Sequence, residues 1–121
     1  MPETAGSASL LHGLADAKLA AALRAMHAAP GRAWRVEDLA REAALSRSTF
    51  FAHFHAVVGL SPMEYLKNWR MALAKKQLRS GHATMAEIAA QVGYGSSSAF
   101  STAFTREVGC PPAKFAQQGD L

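Results

Sequence analysis

Cysteine is nearly missing from this sequence: a single one, Cys110, occurs in 121 residues. No internal disulfide can form, and without partner thiols no cysteine-rich zinc site can be built. Nor does any apolar run reach the ~18 residues a membrane span needs. The first nine residues, MPETAGSAS, lack the basic start of a secretory signal. These absences point to a soluble protein of a reducing, cytoplasmic compartment, with no membrane partner. Strand alternation is absent along the whole chain. No paired carboxylates, Ser/His/Asp set or phosphate loop marks a pocket, which argues against an enzyme. Charge of one sign is short as well: 9 acidic residues stand against 13 basic ones, a net charge of +4, so the surface favours polyanions.

What is present is helical. Half the residues are hydrophobic, many of them alanine, and only 8% are aromatic. That mixture suits an all-α domain with a thin core. Residues 1–15 show no sustained period and read as a flexible leader, with one domain over 16–121. Leu19, Ala22, Leu23 and Met26 follow helical spacing until Pro30-Gly31 ends the run. A second helix is expected over Val36–Ala44 and a third over Arg47–Val58, the latter with Phe50, Phe54 and Val57 as its apolar stripe and Gly59 as its stop. Ser61-Pro62-Met63-Glu64 supplies a capping serine, a proline at the first helical position and a glutamate three residues after the cap. The helix it opens, Pro62–Arg79, spans about 27 Å at about 1.5 Å per residue. Thr84-Met85-Ala86-Glu87 is another capping box, and further helices are expected around Phe100 and Phe104 and around Phe115.

Residues 39–65 repeat in 88–115. Leu39-Ala40 matches Ile88-Ala89, and Ala44-Leu45 matches Gly93-Tyr94. After one extra residue, Gly95, Ser46, Ser48, Phe50 and Phe54 match Ser96, Ser98, Phe100 and Phe104. The match continues through Val58-Gly59 with Val108-Gly109, Pro62 with Pro112 and Tyr65 with Phe115. Each copy is a short helix with an internal alanine for close approach, a turn of small residues and a second helix opened by serine. This is the pattern of a helix-turn-helix, whose second helix can enter the DNA major groove. The two copies cover about 36–58 and about 85–107.

The segments VEDLAREAALSRSTFFAHF, PMEYLKNWRMALAKKQLR and MAEIAAQVGYGSSSAFSTAFTREVGCPPAKF resemble the DNA-binding domain of the AraC/XylS family of bacterial transcription regulators, over residues 16–117. The resemblance implies a bilobed, seven-helix domain with two helix-turn-helix units joined by the long helix. Its two recognition helices would lie in successive major grooves, which recur about every 34 Å. Double-stranded DNA is the implied partner, with RNA polymerase a second one and no cofactor. A chain of this kind can act as a monomer.

Helical geometry sets the outward face. Taking about 100° per residue with Phe50 at zero, Phe54 lies at about 40° and Val57 at about 340°. Ser48 and Ala52 then point away from the core, flanked by Thr49, Phe51 and His55. In the second copy Ser98 and Thr102 point outward, flanked by Ser101 and Thr105. These nine are the expected base-facing residues. Arg47 and Arg106, with Ser46, Ser96 and Ser97 at the helix starts, are the expected phosphate contacts. Arg, Gln and Asn, the bidentate readers, are missing from both faces, so direct readout should be sparse and shape should count.

Other residues have plainer readings. His53 and His55 do not share a face as metal ligands would, and no metal is expected; His53 suits a core edge. Trp34 and Trp69 suit core anchors, and Cys110 a small buried residue. Arg70, Lys75, Lys76 and Arg79 fit a solvated face or phosphate contact equally well. Arg35 stands unexplained where a cap is expected. The main rival function, motivated by the weak base-reading faces, is a helical protein-interaction module with the same fold.

Overall fold

The computed structural model describes residues 16–118, so the expected leader lies outside the described residues. Helix α1 runs over residues 16–28. It is followed by α2 (Val36–Glu42), α3 (Arg47–Val58), α4 (Pro62–Ser80), α5 (Met85–Gln91), α6 (Ser97–Val108) and α7 (Pro112–Gln118), with no strand among the described residues. The chain divides into two compact units. Among the described residues, 16–29 and 34–65 form the first, and 30–33 and 66–118 form the second.

In the first unit α2 and α3 pack through Leu39, Ala40, Phe50 and Phe54, each no more than 3% exposed. Leu19, Ala22 and Met26 of α1 and Trp34 are buried in the same unit, Trp34 with its indole Nε1 donating to the Ala29 carbonyl at 2.8 Å. The Phe50 and Phe54 rings lie 5.6 Å apart, and Tyr65 meets Phe54 edge-on at 5.8 Å. The second unit repeats this geometry. Phe100 and Phe104 are again 5.6 Å apart, and Phe115 meets Phe104 edge-on at 5.5 Å. Such pairs add about 0.5–1.5 kcal/mol to the burial of each ring. The repeat read in the sequence is therefore a repeat of packing.

The caps follow the sequence closely. Ser46 Oγ accepts from the Thr49 amide and Ser96 Oγ from the Ala99 amide. Ser61 Oγ accepts from Glu64 N at 3.3 Å. At Thr84 the capping box closes in both directions, through Glu87 N to Thr84 Oγ1 and Thr84 N to Glu87 Oε1. Arg35 is explained by its partner: its amide donates to Asp38 Oδ2 at 3.1 Å, so α2 is capped from inside its own first turn.

Three expectations need correcting. Helix α2 stops at Glu42 rather than Ala44, because Ala44 takes a left-handed conformation (φ 55°) and lets Leu45 N reach back to the Ala40 carbonyl. Gly93 (φ 86°) makes the same turn after α5, with Tyr94 N on the Ala89 carbonyl. Val57 is not core but 54% exposed, since the buried stripe of α3 continues from Phe54 to half-buried Val58. The repeat already carries this, because the residue matching Val57 is Glu107.

Arg70 is half-buried and tied to the backbone rather than lying on a solvated face. Within the second unit its guanidinium donates to the carbonyls of Pro30 and Arg32 at 2.8 and 2.9 Å. Its burial pulls its pKa below the usual arginine range. A Cβ on Gly93 would come within 3.1 Å of Arg70 Nη2 and 3.2 Å of the Gly31 carbonyl. Lys75 and Arg79 instead lie over the Phe115 ring, at 6.0 and 5.1 Å.

The two turns respond oppositely to substitution. Ala44→Gly removes a left-handed alanine and should stabilise the protein by about 1 kcal/mol. Gly93→Ala meets both the unfavourable φ and the Arg70 contact, and should cost about 1–3 kcal/mol. Urea unfolding of the two variants beside the parent checks both signs.

Candidate nucleic-acid interface

Each helix-turn-helix presents the second of its two helices to solvent. On α3, Ser46, Arg47, Ser48, Thr49, Phe51, Ala52 and His55 are all exposed, Phe51 at 40%. On α6, Ser96, Ser97, Ser98, Thr102, Thr105 and Arg106 are exposed, while Ser101 is half-buried beside a depression lined by Met85, Pro111 and Pro112. Thirteen of the fourteen residues expected at the interface are thus at the surface, and Ser101 sits at its edge. Burial of the Phe50/Phe54 and Phe100/Phe104 pairs sets the rotation of each helix and so turns these residues outward.

The starts of α3 and α6 suit anions. The capping serines satisfy the amides of Thr49 and Ala99. The first two amides of each helix, at 47 and 48 and at 97 and 98, precede any i−4 carbonyl within the helix and point out of its positive end. The serine hydroxyls keep their hydrogens for an outside acceptor.

Both expected phosphate-binding arginines carry carboxylates. Arg47 Nε donates to Glu37 Oε1 at 3.0 Å, and Arg106 Nε to Glu107 Oε1 at 3.1 Å. Lys67 also reaches Glu107, at 3.4 Å. All three basic side chains stay well exposed and keep further donors free for solvent. The Glu37 carboxyl is held below the ordinary range, first by its own backbone amide and then by Arg47 and Arg35. Glu107 is held low first by the Arg106 hydrogen bond and then by Lys67. Spacing along the chain does not announce the Glu37–Arg47 pair, because its partners are ten residues apart on different helices.

The hydroxyls on α6 are not idle. Thr102 Oγ1 donates to the Ser98 carbonyl at 3.0 Å and Thr105 Oγ1 to the Ser101 carbonyl at 2.8 Å. His53, expected at a core edge, is half-buried, with Nε2 3.5 Å from Asp16 Oδ1. Cys110 is half-buried in the turn before α7, 4.0 Å from Gln118 Oε1. No helix among the described residues is long and apolar enough to cross a membrane.

Known proteins share this arrangement. The helix-turn-helix domain family matches residues 39–118. An AraC-like transcription regulator of Streptomyces lividans is 55% identical over 105 residues, 87% of this chain and 34% of that protein. The regulator AlkR of Acinetobacter baylyi is 39% identical over 110 residues, 91% of this chain and 36% of that protein. Among solved structures, the DNA-binding domain of the global transcriptional factor AdpA, in complex with a target DNA, superposes with a TM-score of 0.75 at 28% identity. That match covers 83% of this chain and 90% of that one. The chain belongs to the AraC-type helix-turn-helix family of DNA-binding transcription regulators. It spans about a third of the length of the curated relatives it matches.

The lowered carboxylates fix the sign of an acid response. A glutamate whose folded pKa lies below its unfolded one adds stability that is complete above the unfolded value and is lost as pH falls through the folded value. Stability should therefore decline through the low end of the carboxylate range, and Glu37→Gln should shrink that decline. Because these pairs are exposed, added salt should shrink it too. Urea midpoints taken stepwise down from pH 7, at low and high salt, measure both effects.

Proposed function

We propose that this chain is the DNA-reading part of a transcription regulator, with α3 and α6 each entering a major groove. The observation that carries the reading is the duplicated, serine-capped recognition helix, held by the same buried phenylalanine pair in both copies. The DNA complex of the AdpA domain supports double-stranded DNA as the partner. Ser48, Thr49, Phe51, Ala52 and His55 read bases from α3, and Ser98, Ser101, Thr102 and Thr105 from α6. Exposed Ala52 and Phe51 suit a thymine methyl, and His55 adds a ring nitrogen. Ser46, Arg47, Ser96, Ser97 and Arg106 bind phosphates, using the hydroxyl hydrogens, the free amides and the remaining guanidinium donors. Glu37 and Glu107 hold the two arginines in place beforehand, which lowers the ordering cost on binding.

The function is regulatory rather than enzymatic, and the protein acts in the cytoplasm, where its DNA lies. RNA polymerase is proposed as a second partner of the regulator. The domain fits DNA as a single chain. A protein-interaction module with the same fold, the rival reading, predicts weak or no specific DNA binding above the salt-sensitive background.

Positioning and reading separate experimentally. Arg47→Ala removes one phosphate contact, so affinity should fall about equally on every sequence, and the log–log salt slope should shrink by about one. Thr102→Arg places a bidentate donor on the outward face of α6 and should create a guanine preference of about 1–3 kcal/mol at one position. Titration of DNA fragments at two or more salt concentrations measures both. A uniform gain in affinity for all DNA from Thr102→Arg would mean that this face meets phosphates instead of bases.

A further inference from the structure

The hydroxyl hydrogens of both outward threonines on α6 are committed to the helix's own backbone. A threonine hydroxyl holds one hydrogen and two lone pairs. Thr102 spends its hydrogen on the Ser98 carbonyl at 3.0 Å, and Thr105 spends its own on the Ser101 carbonyl at 2.8 Å. Each threonine then offers a passing base only oxygen lone pairs and a methyl group. No Arg, Lys, Asn or Gln stands among the outward residues Ser98, Thr102 and Thr105 to supply a donor. Arg106, the nearest cation on the helix, has its Nε on Glu107.

The four base pairs answer such a surface differently. Guanine shows two acceptors in the major groove, N7 and O6, and these repel an acceptor-only hydroxyl. Adenine N6 and cytosine N4 both donate to such an oxygen, but only an A·T pair sets that donor beside a methyl, the thymine methyl, which packs on the threonine methyl. Resting on the DNA-reading function proposed above, we infer that Thr102 and Thr105 make α6 a selector for A·T pairs. The oxygen accepts from adenine N6, the methyl meets the thymine methyl, and guanine is rejected. Reading guanine with these side chains requires breaking the internal bond first. The first copy lacks this device on its outward face, where alanine occupies the place of Thr102 and His55 that of Thr105. The two helices therefore read by different chemistry.

The test is selection of bound duplexes from a random pool with the parent, Thr102→Val and Thr105→Val. Valine keeps the shape and a methyl at the same place but removes the oxygen. The parent should enrich A·T at one position under each threonine. Each valine variant should lose about two- to tenfold of the adenine preference at its own position, the worth of one neutral hydrogen bond. The thermal melt of each variant should match the parent, which separates loss of the oxygen from loss of the fold. Guanine enriched by the parent at a position that either valine variant alters, or an adenine preference unchanged in both variants, overturns the inference. A parent that retains no sequence above bulk DNA overturns the DNA-reading function on which the inference rests.

Discussion

The rotation of each recognition helix about its own axis is set by one interaction, the burial of two phenylalanines four residues apart under the edge of a third aromatic ring. Phe50, Phe54 and Tyr65 make this trio in the first unit, and Phe100, Phe104 and Phe115 make it in the second. All four phenylalanines of the two pairs are fully buried, and burying each contributes about 1.5–3 kcal/mol. Turning α6 by one residue, about 100°, would expose Phe104 to water and hide Thr102 or Thr105. The chemistry that faces outward is therefore a consequence of the chemistry that faces inward.

Around that constraint the polar groups divide their labour. Serine caps end the helices where an anion is welcome, carboxylates hold arginines beside them, and threonine hydroxyls turn their hydrogens back to the helix. The left-handed turns before each recognition helix use alanine in one copy and glycine in the other. At the glycine a Cβ would press on the Arg70 guanidinium and the Gly31 carbonyl. Alanine is therefore costly in the second copy.

Much of this was legible in the sequence, because it is local. Caps at Ser46, Thr84 and Ser96, the 12-residue length of α3, and the outward face opposite the phenylalanines all follow from periods and spacings. The repeat extended that reach, since it matches Tyr65 with Phe115, and each of these rings meets the second phenylalanine of its unit from a different helix. What escaped depends on contacts between distant residues or on a rotamer. Arg70 finds its carbonyls 38 and 40 residues away, which no spacing announces. Nor does spacing show that Glu37 lies against Arg47, the expected phosphate contact. Val57 fitted the stripe by angle but sits in the last turn, where the stripe has moved on to Val58. The hydrogen of Thr102 could be placed only once its rotamer was known.

The most direct measurement of the central claim is DNA cleavage from a metal chelate tethered to single cysteines, in a Cys110→Ser background. Chelates at Ser48→Cys and Thr102→Cys, on the two outward faces, should each cut a bound duplex within a few base pairs of one position. A chelate at Ala72→Cys, on the exposed side of α4, should cut far less. Cuts from positions 48 and 102 that are no stronger than those from position 72, or that spread evenly along the duplex, would contradict the account.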